Sequence, residues 1–104
     1  MIKIYNKAIR DKIPEIIEAR GLKCEYETLP DKEFLVYLEK KLEEEIKEYY
    51  QTNNIAELAD LLEVIYRIIE LRGVSLSEIE EMRSKKNSIR GSFSKNLFLV
   101  KTIE

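Results

Sequence analysis

The chain contains no histidine and no tryptophan, and only one cysteine, two prolines and three glycines among its 104 residues. Without an imidazole, Ser-His-Asp triads, Cys-His dyads and histidine-based zinc sites are excluded. The lone thiol, Cys24, can form neither an internal disulfide nor a cysteine-rich zinc or iron–sulfur site, which suits a reducing compartment. Gly21, Gly73 and Gly91 are too far apart to build a GxGxxG or Walker A loop. No apolar run reaches the ~18 residues of a membrane-spanning helix. The opening stretch, MIKIYNKAIRDK, is charged and lacks the apolar region of a secretory leader, so a cytoplasmic protein is expected.

Apolar residues make up 44% of the chain and charged residues 37%, a globular balance at a length that allows one domain over 1–104. The net charge of −2 argues against a nucleic-acid polymer as partner. Any catalysis must therefore come from carboxylates, lysines, arginines and tyrosines, with a hard metal.

Turn and cap residues divide the chain into helical blocks. Asp11 as N-cap, Pro14 in the first turn and Gly21 at the end predict a helix over about 12–20. Pro30-Asp31 opens a second helix, about 32–51, which Asn53-Asn54 breaks. Asn54 and Glu57 fit a capping box for a third helix ending at Gly73, and Ser75 with Glu78 fits one for a fourth, about 76–89. Alternation in 23–29 and the apolar run 97–103 predict two short strands that pair as a small β-ribbon. Cys24 reads as a small apolar residue of the first strand. The expected fold is all-α, a compact four-helix bundle with that ribbon.

The central helices differ in their faces. On the second, Leu35, Leu38, Leu42, Ile46 and Tyr49 form one stripe. Glu45 borders that stripe, Glu48 lies a step further round, and Glu44 points nearly opposite. The third carries two stripes: Leu58, Leu62, Ile65 and Ile69, and Leu61, Val64, Ile68 and Leu71, the latter continued toward the N-terminus by Glu57 and Asp60. A helix apolar on most sides in so short a chain predicts a partner copy, a homodimer or homotetramer.

Glu45 and Glu48 on the second helix, and Glu57 and Asp60 on the third, are each spaced i, i+3, so each pair projects from one helix face. Only eight residues separate Glu48 from Glu57, and an antiparallel pair with so short a turn brings all four acids to one end. Converging carboxylates repel unless a cation sits among them, and an all-oxygen donor set selects Mg²⁺ or Mn²⁺. Plainer readings stand beside this. With five glutamates and three lysines in 39–48, an EExxE pattern can arise on any solvated face, and Glu57 fits a cap.

Charge is also segregated. No acid occurs from Met82 to Ile103, which holds Arg83, Lys85, Lys86, Arg90, Lys95 and Lys101. The N-terminal stretch sets Lys3, Lys7, Arg10 and Lys12 against Asp11 alone. An acidic middle with basic ends suits a metal–polyphosphate ligand, in which carboxylates hold the cation and Lys/Arg the outer phosphates. A plain basic surface patch is the competing reading.

EEIKE at 44–48 followed by ELAD at 57–60, running into LLEVIY, resembles the MazG-like, all-α nucleoside triphosphate pyrophosphohydrolase superfamily. The flanks YNKAIRDKIPEII (5–17) and KKNSIRGSFSKNLFL (85–99) resemble its short, phosphoribosyl-ATP pyrophosphohydrolase-like members. The resemblance covers nearly the whole chain. It implies hydrolysis of a nucleoside triphosphate to monophosphate and pyrophosphate, a house-cleaning of nucleotide pools. It implies Glu45, Glu48, Glu57 and Asp60 as Mg²⁺ ligands and catalytic residues; Glu44 matches a motif acid but is turned away. Arg10, Lys12, Lys86, Arg90 and Lys95 become candidate phosphate contacts. Tyr49, Tyr50, Tyr66 and Phe93 could stack a base or simply pack, and Gly91 with Phe93 resembles the family's RGxF turn. Two alternatives remain: the phosphoribosyl-ATP step of histidine biosynthesis, and a non-catalytic dimeric helical adaptor.

Overall fold

A computed structural model describes all residues, 1–104. It is all-helical: α1 (Ile13–Ala19), α2 (Asp31–Thr52), α3 (Ile55–Leu71) and α4 (Leu76–Arg90), the four helices expected, with ends within two residues of the expected ones. No helix is long and apolar enough to cross a membrane.

The helix ends show why the boundaries were legible. α1 and α3 finish in the same way. At Gly21 (φ 81°) and Gly73 (φ 79°) the backbone turns left-handed, a conformation that a side chain disfavours. Gly21 N–H then bonds Glu18 C=O and Leu22 N–H bonds Ile17 C=O; Gly73 to Glu70 and Val74 to Ile69 repeat the pattern. Both are Schellman caps. α2 stops at Asn53 (φ 52°), whose N–H bonds Tyr49 C=O at 2.7 Å. The Ser75 hydroxyl accepts from Glu78 N–H at 3.0 Å, completing the expected cap of α4. Three starts differ from expectation: α3 is capped by Asn54 through Ala56 N–H, without the Glu57 box. α1 begins after Lys12 rather than Asp11 and α2 after Pro30, neither with a side-chain cap.

The β-ribbon does not form. Residues 23–29 and 97–103 make no backbone pairing and carry no strand. An isolated two-stranded ribbon is marginal unless one face packs on something. Here Leu97, Phe98, Leu99, Val100 and Ile103 all stand in solvent.

α2 and α3 form an antiparallel hairpin joined by Asn53 and Asn54, and this pair makes the main helix contact. α4 touches only α3, and α1 touches no other helix. The expected compactness is therefore confined to the hairpin. Leu38 from α2 and Val64 from α3 are buried together with Ala8 of the N-terminal segment, flanked by Phe34, Tyr37, Leu42, Ile68 and Leu71. The radius of gyration is 18.5 Å, against about 13 Å for a compact chain of this length. The chain exposes 9958 Å², whereas a folded monomer of this mass exposes roughly 6,100 Å².

Candidate metal centre

The turn between α2 and α3 decides what Glu57 can do. Asn54 caps α3 by accepting from Ala56 N–H at 2.9 Å. The Asn54 N–H is taken by the Thr52 hydroxyl at 3.2 Å. Glu57 is thus not needed to close a capping box, and its carboxylate is free to turn toward α2. Asp60 follows one turn later on the same face.

Carboxylate oxygens of Glu45, Glu57 and Asp60 all lie within 4.8 Å of one another. Glu45 is the one buried charged residue of the chain, only 6% exposed. Its Oε2 is buried and has no hydrogen-bond partner. Its Oε1 lies 3.5 Å from Lys41 Nζ, one helical turn earlier. Burial, then the nearby charge of Glu48, push the Glu45 carboxyl above its ordinary range, with Asp60 adding to the effect against the pull of Lys41. Glu57 is raised as well, by loss of solvation and then by Glu48. Glu48 borders the group and acts on both neighbours, but it is outside the three that converge.

Glu44 is outside the three acids that converge, but it shares Lys41 with Glu45. It accepts from Lys7 Nζ at 2.9 Å and lies 3.6 Å from Lys41 Nζ. The bond from Lys7 holds the Glu44 carboxyl below its usual range and raises the Lys7 ammonium in return. Arg10, a candidate phosphate contact, donates to Asp60 Oδ1 from Nη2 at 2.8 Å. The remaining candidates stand elsewhere. Lys12 precedes α1 without an ion pair, and Lys86, Arg90 and Lys95 are exposed and bond none of the four acids. Arg90 and Lys95 instead line a shallow hollow with Gly91, Phe93 and Ser94. The rings of Tyr49 and Tyr50 are 6.2 Å apart and tilted, Tyr66 is 43% exposed, and Phe93 is free in solvent.

Sequence reasoning assigned no role to two cations at this site. Lys41 was detectable, since it stands four residues before Glu45 on one helix. Lys7 lies in an irregular segment where no periodicity says which way a side chain points.

Chemically, the centre is an all-oxygen donor set, one of whose acids, Glu45, has a buried, unsatisfied oxygen. Leaving such an atom unpaired costs about 1–3 kcal/mol or more for a charged group. The three converging acids therefore fit a hard divalent cation. Compared with protein-family models, with curated proteins and with solved structures, the chain matches none.

Proposed function

We propose that this protein is a Mg²⁺-dependent nucleotide pyrophosphohydrolase of the MazG-like kind, converting a nucleoside triphosphate to its monophosphate and pyrophosphate. The observation that carries the reading is the buried Glu45, whose Oε2 has no partner and whose carboxylate lies within 4.8 Å of those of Glu57 and Asp60. Glu45, Glu57 and Asp60 would hold the cation, with Glu48 at its border. Mn²⁺ suits the same donors. When bound, the metal supplies charge neutralisation at phosphate oxygens and a more acidic water.

The chain's own residues account for the rest. With no histidine, removal of a proton from the attacking water falls to a carboxylate. Arg10, already beside Asp60, is the candidate phosphate contact best placed for the site.

Self-assembly belongs to the same reading. The exposed area exceeds that of a compact monomer by roughly 3,900 Å². Large obligate interfaces bury about 2,000–5,000 Å² summed over both partners, or about 1,000–2,500 Å² from each chain, which that excess more than supplies. A homodimer or homotetramer would cover Leu62 and Tyr66 of α3 and the apolar C-terminal segment, all of which are exposed in the single chain.

The test is pyrophosphate release with Mg²⁺ across a panel of nucleoside triphosphates that also includes phosphoribosyl-ATP. Release from the triphosphates, lost on chelation and in Glu57→Gln, is the expected result. Preference for phosphoribosyl-ATP would move the protein to histidine biosynthesis. No release from any of them, with or without metal, would leave a helical adaptor whose acids are surface charge.

A further inference from the structure

The N-terminal segment, residues 1–12, forms neither helix nor strand, yet it is tied across the hairpin at three points. Ala8 is only 5% exposed and packs with Leu38 of α2 and Val64 of α3. On one side of it Lys7 reaches Glu44 on α2, at 2.9 Å. On the other, Arg10 reaches Asp60 on α3, at 2.8 Å. The segment therefore crosses the seam between the two helices beside the acid centre, pinned at a small buried residue, with one cation on each flank.

The two flanking pairs are not equivalent. Asp60 is one of the three acids that converge, so Arg10 holds a carboxylate that a cation would share. Glu44 is not among them, so Lys7 bonds an acid outside the converging three, while its charge still acts on Glu45 and Glu48. Both pairs are partly exposed, with side-chain exposures of 57% and 43% for Arg10 and Asp60. Exposed pairs of this type are weak and exchange readily. A divalent cation among Glu45, Glu57 and Asp60 would both compete for Asp60 and repel the guanidinium. Ala8 would keep the released side chain close by. A guanidinium offers a planar fork of donors that matches phosphate oxygens, and an ammonium adds a point charge.

We infer that Lys7 and Arg10 are a displaceable counter-charge built into the N-terminal strap: Arg10 guards Asp60 while the centre is empty, and both cations pass to the phosphates of a metal–polyphosphate ligand. The inference rests on reading the acid centre as a metal site, but not on any hydrolysis. It gives Arg10 opposite effects on two ligands. Removing it should help a bare cation and hurt a phosphate chain.

The experiment titrates Mn²⁺ alone, and then inorganic tripolyphosphate into the Mn²⁺-saturated protein, by calorimetry. Wild type, Arg10→Ala, Arg10→Lys and Lys7→Ala are compared, each first shown by circular dichroism to be folded. Arg10→Ala should bind Mn²⁺ about two- to fivefold more tightly, the value of one exposed ion pair. It should bind tripolyphosphate about ten- to a hundredfold more weakly, the value of a lost charge-assisted hydrogen bond. Arg10→Lys should show no gain for Mn²⁺. Lys7→Ala should change Mn²⁺ affinity in the same direction as Arg10→Ala but by less, and should weaken tripolyphosphate. If wild type binds no Mn²⁺, the metal reading falls and this inference with it. If wild type binds Mn²⁺ but Arg10→Ala binds it equally or less well, the guarding role alone is overturned. Unchanged tripolyphosphate affinity in both alanine variants overturns the phosphate role, whatever the nucleotide assays show.

Discussion

Replacing Glu45 by glutamine should stabilise the metal-free protein at neutral pH. The side chain keeps its shape, loses its charge and gains an amide N–H₂ that can donate to neighbouring carboxylates. Two like charges 4.8 Å apart repel by about 3.5 kcal/mol at an effective dielectric of ~20. Lys41 at 3.5 Å from Glu45 and Arg10 at 2.8 Å from Asp60 offset part of this. Proton uptake by the raised carboxyl limits the remainder, so a net gain of about 1–2 kcal/mol is expected. For a chain of this size that is roughly 5–10 °C in melting temperature. The pH dependence gives the sharper signature. Because the folded Glu45 carboxyl is raised above its ordinary value of 4.5, the folded state binds more protons than the unfolded one above that pH. Stability of the wild type therefore falls as pH rises from 4.5 through the raised value, and the penalty is absent below it. Glu44, held low by Lys7, contributes in the opposite sense, present above its ordinary value and lost as pH falls, but equally in both proteins, so it cancels from the difference. The assay is a pair of melting curves in chelator at pH 7.5 and pH 4. A gain at the higher pH that disappears at the lower is expected. No gain at pH 7.5, or an equal gain at both, would refute the picture of crowded, unneutralised acids. Saturating Mg²⁺ should then raise the melting temperature of the wild type and leave Glu45→Gln nearly unmoved.

Two further outcomes are expected. Sedimentation velocity at micromolar concentration should show a particle of at least two chains, and a stable, compact monomer would contradict the surface argument. Leu38→Ala, which opens the small buried cluster around Ala8 and Val64, should cost about 2–5 kcal/mol and loosen the N-terminal strap, read as faster amide exchange in residues 5–10.

The helices could be read because their signals are local. A glycine that must turn left-handed, or a serine that meets the N–H three residues on, acts within one turn of backbone, and Gly21, Gly73 and Ser75 did so as expected. The ribbon could not be read, because alternation in 23–29 and an apolar run in 97–103 report only that a segment suits a pleated surface. Whether a surface exists to receive it depends on where α4 carries the chain. Here α4 leaves α3 after a limited contact, and the apolar run from Leu97 to Val100 meets nothing within the same chain.

The centre was legible to the extent that helix geometry controls it. The i, i+3 spacing and the short turn are enough to bring Glu45, Glu57 and Asp60 to one end of the hairpin. What spacing cannot convey is depth. Helix phase sets Glu45 beside the stripe and Glu48 a step further round, but it does not say that Glu45 is buried with an oxygen unpaired while Glu48 is half-buried. Glu45 sits one position to the stripe side of its helix. The buried cluster of the hairpin, Leu38 and Val64, is completed by Ala8, from a segment with no periodicity of its own. That segment, the strap, also brings Lys7 to Glu44 and Arg10 to Asp60. It is also the part of the chain whose cations no pattern in the sequence could have placed, and so the metal and phosphate titrations of the Arg10 and Lys7 variants probe the step from sequence to site most directly.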